Sequence, residues 1–449
     1  MKLWQKSDNS QPSLHQQIEK FTVGKDRELD LQLASFDVLG TLAHIRMLET
    51  IGLLSAEERH QLDQQLQLIY GSIQTGQFRI EEGIEDVHSQ VELQLTKALG
   101  DIGKKVHSGR SRNDQVLVDL RLFFRAQLQA LVADVQELFD TLIQLSEQYK
   151  DVLMPGYTHM QVAMVSSFGL WFGAYAEALS DDLQTALAAW KVINQNPLGS
   201  AAGYGNSFPL DRQMTTDLLG FSSLSYNVIN AQMGRGKSEL LLSFAMAAIA
   251  NTVGKLAMDI CLYSNQNYQF LSLPDAFTTG SSIMPHKKNP DVFELIRARC
   301  NQLQALPNEI LMLTNNLPSG YHRDFQLLKE NLFPAIQHLQ DCLQMSRLAL
   351  QEIRINPQLL DDPKYRYLYT VEAVNEQVLQ GVPFRSAYQK IGQSIEEGTF
   401  DYQGDIRHTH EGSIGRLCNE QIQQKMAELC QQFDFEVVNR ALTSLLKGE

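Results

Sequence analysis

The chain has 449 residues, and 38 Lys+Arg against 52 Asp+Glu give a formal charge of -14, which argues against a general nucleic-acid or anionic-membrane binder. With 43% hydrophobic and 20% charged residues, the composition is globular and excludes disorder as the main state. At about 150 residues per domain, the length suggests roughly three domains or one large elongated helical unit.

Met1 to Ser10 is polar and lacks the apolar core of about 7–15 residues that a secretory signal needs, so export is not expected. No proline falls between Pro12 and Pro155, and no glycine between Gly109 and Gly156, which leaves room for long uninterrupted helices. In that window Leu120, Phe124, Leu128, Leu131, Val135, Leu138, Leu142 and Leu145 recur by fours and threes, the seam of a long bundle helix. Phe168 to Trp190 and Leu240 to Leu262 are apolar nearly all round and carry small residues such as Gly173, Ala174 and Ala247, so they belong inside a bundle. One chain is not expected to cover so much apolar helix alone, and burial between subunits is the expectation. The weakly polar run Leu240 to Gly254 is shorter than the roughly 20 residues that span a bilayer. Asn289-Pro290-Asp291 predicts a helix start, with Asn289 as cap, running to about Leu313. Strand signals are few, so the chain reads as mainly α. Soft boundaries near Val106 and near Pro357 to Pro363 divide it into 1–106, 107–358 and 359–449.

Four segments could carry chemistry. His107 to Gln115 (HSGRSRNDQ) gathers arginines and short donors where the long helix opens; it suits a carboxylate or phosphate, or is a capped helix start with surface arginines. Pro155 to Gln161 (PGYTHMQ) sets His159 in a turn among hydroxyls, a structural histidine or an acid/base if it faces a cleft. Ala231 to Ser238 ends like a phosphate-binding loop but has alanine where the pattern needs glycine, so a helix-entry loop is the simpler reading. Gly280 to Pro290 (GSSIMPHKKNP) holds hydroxyls, an imidazole and two ammonium groups before a helix. Either Asn289 caps the helix and the lysines are solvated, or Ser281 is a base while Lys287 and Asn289 oppose charge developing on a carboxylate. His408-Thr409-His410 lacks further ligands at metal spacing, and five dispersed cysteines without C-x-x-C indicate neither a disulfide framework nor a zinc site. No metal is expected, and the cytoplasm is the natural compartment.

HSGRSRNDQ, PGYTHMQ and GSSIMPHKKNP, with PLGSAAGYG (Pro197 to Gly205), LPSGYHRDFQ (Leu317 to Gln326), EDVH (Glu85 to His88) and GVPFRSAY (Gly381 to Tyr388), follow the order and spacing of the fumarase/aspartase superfamily. Their wording resembles the argininosuccinate lyases and their lens-crystallin relatives. The GSSxMPxKxNP loop is specific to the superfamily, GRSRNDQ to the narrower family. The resemblance implies three helical domains, a homotetramer with a twenty-helix core, active sites shared between subunits, and cleavage of argininosuccinate to arginine and fumarate without a cofactor. It also implies roles: Ser281 abstracts the Cβ proton, Lys287 and Asn289 hold the aci-carboxylate, and His159 assists the leaving nitrogen. Ser111, Arg112, Asn113 and Thr158 fix the succinyl carboxylates, and Tyr321, Gln326 and Lys329 read the arginine end. Asp30 lies where the family places a substrate-facing acid. The chain departs from the pattern at His286, where glutamine is usual and MPHK is the wording of adenylosuccinate lyases, the nearest rival, and across Asn227 to Glu239 and Tyr365 to Gln377. A non-catalytic lens-crystallin-like relative is the rival of another class, but Ser281, Lys287, Asn289 and His159 are all retained.

Overall fold

The computed structural model describes residues 12–406 and 408–448, so the expectation for Met1 to Ser10 lies outside it. Five long helices dominate: α1 (Arg112–Gln148), α2 (Phe168–Ile193), α3 (Lys237–Tyr263), α4 (Asp291–Thr314) and α5 (Leu327–Gln351). The three segments predicted from periodicity are helical, each within a few residues of its expected bounds. Their directions follow from cross-helix contacts. Ser146 on α1 bonds the Gly169 carbonyl of α2, while Trp171 and Tyr175 near the start of α2 both donate to Asp259 near the end of α3. Arg299 of α4 pairs with Asp341 of α5, and Arg347 of α5 with Glu137 of α1. Neighbours in sequence therefore run antiparallel, and α5 returns parallel to α1, closing a bundle around Phe124, Phe172, Phe293 and Leu339, all fully buried.

The seam of α1 from Leu120 to Leu145 is already buried inside the protomer, which corrects the expectation that it waits for a second subunit. Helices α2, α5 and Ala34–Thr50 cover it. What stays exposed lies elsewhere: Phe244 and Met258 on α3, Leu295 and Met312 on α4, Met345 and Leu348 on α5. Helix α3 is long and apolar enough to cross a membrane by length and composition, yet it sits between α2 and α4 as a core element.

One local expectation fails. Asn289 does not cap α4: Pro290 holds the cap position with no side-chain cap bond, and Asn289 instead pairs with Thr279, backbone N–H to carbonyl in both directions at 3.1 and 2.9 Å. The Pro155 to Gln161 turn is the end of a β-hairpin, β1 (Leu153–Thr158) against β2 (Gln161–Ser167). The Walker-like segment spans the end of the short helix Val228–Met233, a turn at Gly234 to Gly236 and the start of α3, with Gly236 at φ 82 and its N–H donated 2.9 Å to Glu239, so the helix entry is closed by the chain's own carboxylate.

Candidate active site

At the N-terminal end of α1, Ser111 is the cap residue. Its Oγ accepts from the Asn113 N–H at 3.3 Å, and its own N–H donates to Asp114 at 2.8 Å. Such a helix end offers free N–H groups and a positive dipole to an anion. Arg112 and Asn113 project from it into a cleft whose far wall is the Leu317–Gln326 segment and the start of α5, bringing in Tyr321, Gln326 and Lys329. These are the residues predicted for the two substrate ends, together with Asp30.

The cleft is bipolar. Asp26, Asp30, Glu85 and Asp86 line it opposite Arg112, Arg235, Arg323 and Lys329. The Lys329 ammonium is 5% exposed and lies 2.5 Å from Asp30 and 2.7 Å from Asp26. Arg112 is ion-paired with both Glu85 and Asp86, and Arg323 reaches Glu85 at 2.8 Å. Burial pushes the Asp26 carboxyl up from its ordinary value, with Lys329 pulling it back. Gln326 donates to the carbonyls of Thr22 and Val23 at 3.0 Å, tying the end of the Pro12–Val23 helix to the cleft's wall. Sequence reasoning missed Asp26, Glu85, Asp86, His88, Arg235 and Arg323 as cleft residues, although all but Asp26 sat within a quoted segment.

His88 also lines the cleft, sandwiched between Asp37 (2.7 Å) and Asp119 (3.4 Å), all three buried. Among the described residues this is the one His/carboxylate group compact enough to hold a metal ion. Burial opposes the charge on His88, but the Asp37 hydrogen bond and the Asp37, Asp119 and Asp30 charges prevail and push it up to about 9. With the imidazole charged between two carboxylates, the three side chains form a buried ion triad.

The remaining predicted residues sit at the other end of the bundle. His159 and Met160 form the two-residue loop of the β-hairpin, both left-handed at φ 52 and 60. That is the turn such loops require, here without the glycine or asparagine that adopts it readily, and so strained at about 1–3 kcal/mol per residue. Tyr157 anchors the hairpin on Tyr268 and Phe270, with ring centroids 5.6 and 6.2 Å away, and leaves Thr158 and His159 exposed. In the loop before α4, pinched off by the Thr279–Asn289 bridge, Ser281 Oγ accepts two backbone N–H groups, Met284 at 3.1 Å and Ile283 at 3.3 Å. Lys287 and His286 are exposed beside it, and Asn289 is half-buried. The loop precedes α4 and the cleft follows it, so the 24 residues of that helix hold the two groups roughly 36 Å apart. One protomer therefore brings Ser111, Arg112, Asn113, Tyr321, Gln326 and Lys329 together, and keeps Thr158, His159, Ser281, Lys287 and Asn289 away from them.

A family model described as lyase matches residues 14–305. EDDS lyase in complex with formate superposes with a TM-score of 0.75 at 22% identity, covering 96% of this chain and 94% of the other. Class II fumarase from Schistosoma mansoni gives 0.66 at 16%, covering 92% and 95%. Fold and motifs define a lyase of the fumarase/aspartase class. The argininosuccinate lyase of Parabacteroides distasonis is 60% identical over 447 residues, 100% of this chain and 99% of the relative. That of Bacteroides thetaiotaomicron is 59% identical over 445 residues, 99% of each. That of Thermotoga neapolitana is 36% identical over 392, covering 87% of this chain and 98% of the relative. The chain belongs to the argininosuccinate lyase family.

Proposed function

We propose that the protein cleaves argininosuccinate reversibly into arginine and fumarate, by β-elimination and with no cofactor. The observation that carries the choice of substrate is the mixture of charge in the cleft, four acids set among Arg112, Arg235, Arg323, Lys329 and the charged His88. Argininosuccinate presents carboxylates at both ends and an ammonium group at one, so each sign finds its opposite. The rival adenylosuccinate ends in a phosphate, which Asp26, Asp30, Glu85 and Asp86 would repel. Ser111, Arg112, Asn113 and Thr158 hold the succinyl carboxylates, and Tyr321, Gln326 and Lys329 the amino-acid end.

Ser281 takes the Cβ proton. A serine hydroxyl is a poor base in water, but the two N–H groups aimed at its Oγ stabilise the alkoxide and bring the proton transfer within range. The carbanion is delocalised into the adjacent carboxylate as a dianion, whose charge Lys287 and Asn289 oppose. The C–N bond then breaks with its electron pair going to the guanidino nitrogen, and His159 supplies the proton, directly or through water. Because the two residue groups lie at opposite ends of one protomer, a complete site takes them from different copies. The exposed apolar residues of α3, α4 and α5 support a homotetramer as the assembly that brings them together. Incubation with argininosuccinate and with adenylosuccinate, following fumarate, tests the reading; fumarate from the adenylyl substrate alone overturns it and makes His286 the better guide.

A further inference from the structure

The Pro197 to Gly205 segment has no role in the scheme above, yet it is built around the first turn of α1. Asp114, fully buried, spends both carboxylate oxygens on backbone N–H groups. One accepts from Ser111 at 2.8 Å; the other accepts from Gly199 at 3.1 Å and Ala201 at 2.9 Å. Those two N–H groups converge because Gly199 and Ala201 are both left-handed, at φ 83 and 51, which shapes an anion-binding concavity that the chain fills with its own side chain. Arg212 braces the loop from behind through the carbonyls of Leu198, Ser225 and Tyr226. A second fastening, Asn206 to the Gly109 carbonyl at 2.9 Å, lies on the surface. The loop also reaches the cleft's far wall: the Tyr204 hydroxyl lies 3.6 Å from where a Cβ on Gly320 would stand, next to Tyr321.

We infer that Asp114 is a positioning residue for the succinate end of the substrate, its carboxylate clamping the Gly199–Ala201 loop to the Ser111–Asn113 receptor and fixing where the receptor's donors point. The inference rests on the lyase reading above and names the device that preorganises its anion-binding half. Stability alone does not explain an acid here. Burial pushes the Asp114 carboxyl up to about 6, against the pull of the Ser111, Ala201 and Gly199 N–H groups and of Arg110. A folded-state value above the ordinary one means that ionising Asp114 works against folding as pH climbs from about 4 through 6. The fold tolerates the charge because three N–H donors converge on it, and those donors belong to the segment that carries Ser111 to Asn113 and to the loop fastened to it.

The test compares Asp114→Asn with the surface variant Asn206→Ala in the intact oligomer, using fumarate and arginine separately as product inhibitors. An amide offers one acceptor where the carboxylate has two, so one side of the clamp opens. Asp114→Asn is expected to weaken fumarate inhibition and raise KM by about tenfold, with kcat and arginine inhibition changed by less than about threefold. Asn206→Ala is expected to shift the same two constants in the same direction by about threefold, and it decides the matter if Asp114→Asn does not fold. Equal weakening of fumarate and arginine, which a general loosening would give, or no change in either, overturns the inference. Native protein that releases no fumarate from argininosuccinate overturns the underlying reading instead.

Discussion

Two inactive variants should rescue one another when they occupy the same oligomer. Ser281→Ala removes the proposed base before α4, and Arg112→Met removes a carboxylate partner in the cleft beyond the other end of that helix. Arg112 is 44% exposed at its side chain, so its loss leaves the packed bundle intact. The two positions are separated by a helix of 24 residues, about 36 Å, farther than an amino-acid-sized substrate reaches, so the proposed site draws them from different chains. When the variants are co-expressed at equal levels and mix at random, a site is intact only if its Ser281 comes from the Arg112→Met chain and its Arg112 from the Ser281→Ala chain. Each event has even odds, so about a quarter of the sites are restored. Fumarate release by the purified hybrids, against each parent alone, reads this directly. Hybrids shown by size and mass to contain both chains, yet no more active than the better parent, would refute the shared site.

Ser281→Ala on its own should leave KM within a few-fold and cut kcat by about a hundredfold or more, because the serine acts on a proton and not on binding; near-normal turnover, with loss of Cβ proton exchange in His159→Ala, would move the base to the histidine. Lys287→Met removes charge that opposes the dianion and should cost about 2.7–4 kcal/mol of transition-state stabilisation, a hundred- to thousand-fold in kcat; a pure KM effect would contradict that role. For His88 the folded value of about 9 lies above the ordinary 6.5. Its contribution to stability is therefore complete below pH 6.5 and lost as pH rises through about 9, on the order of 3 kcal/mol in all. Thermal melts of the native protein should fall between pH 7 and 9 relative to His88→Gln, and parallel curves would show that Asp37 and Asp119 do not hold the imidazole charged.

The helices were legible because each carries its own periodicity: the spacing of Leu120 to Leu145 predicts α1 regardless of what covers it. What covers it was not, since a fully apolar face reads the same whether a neighbouring helix of the same chain or a second subunit buries it. The hairpin escaped for a local reason. Its loop is His159-Met160 instead of a glycine pair, Pro155 and Gly156 interrupt the first strand, and the register slips between Pro155 and Tyr157, so neither turn chemistry nor alternation marks it. Asn289 was misplaced because Asn-Pro-Asp suits a helix cap and a β-bridge equally until Thr279 is known to lie opposite. Motif wording named the candidate site residues, but not Asp26, which no motif contains, nor the role of Arg235, whose segment read as a helix-entry loop; both join the cleft only through tertiary folding.

The division of those residues between two ends follows from the order of helices. Each motif sits at a helix terminus, and in a bundle whose consecutive helices run antiparallel every long helix crossed moves the chain from one end to the other. From Asn113 to His159 the chain traverses α1, one crossing; to Ser281 it has also traversed α2 and α3, three in all; to Tyr321 it has added α4, an even number. Odd counts put His159 and Ser281 opposite Asn113, and the even count returns Tyr321 beside it. Shortening a helix could not reunite the two groups, because parity and not length separates them. On the proposed reading, in which both groups serve one substrate, they meet only where another copy lies antiparallel alongside, and the number of helices between motifs is what asks for assembly.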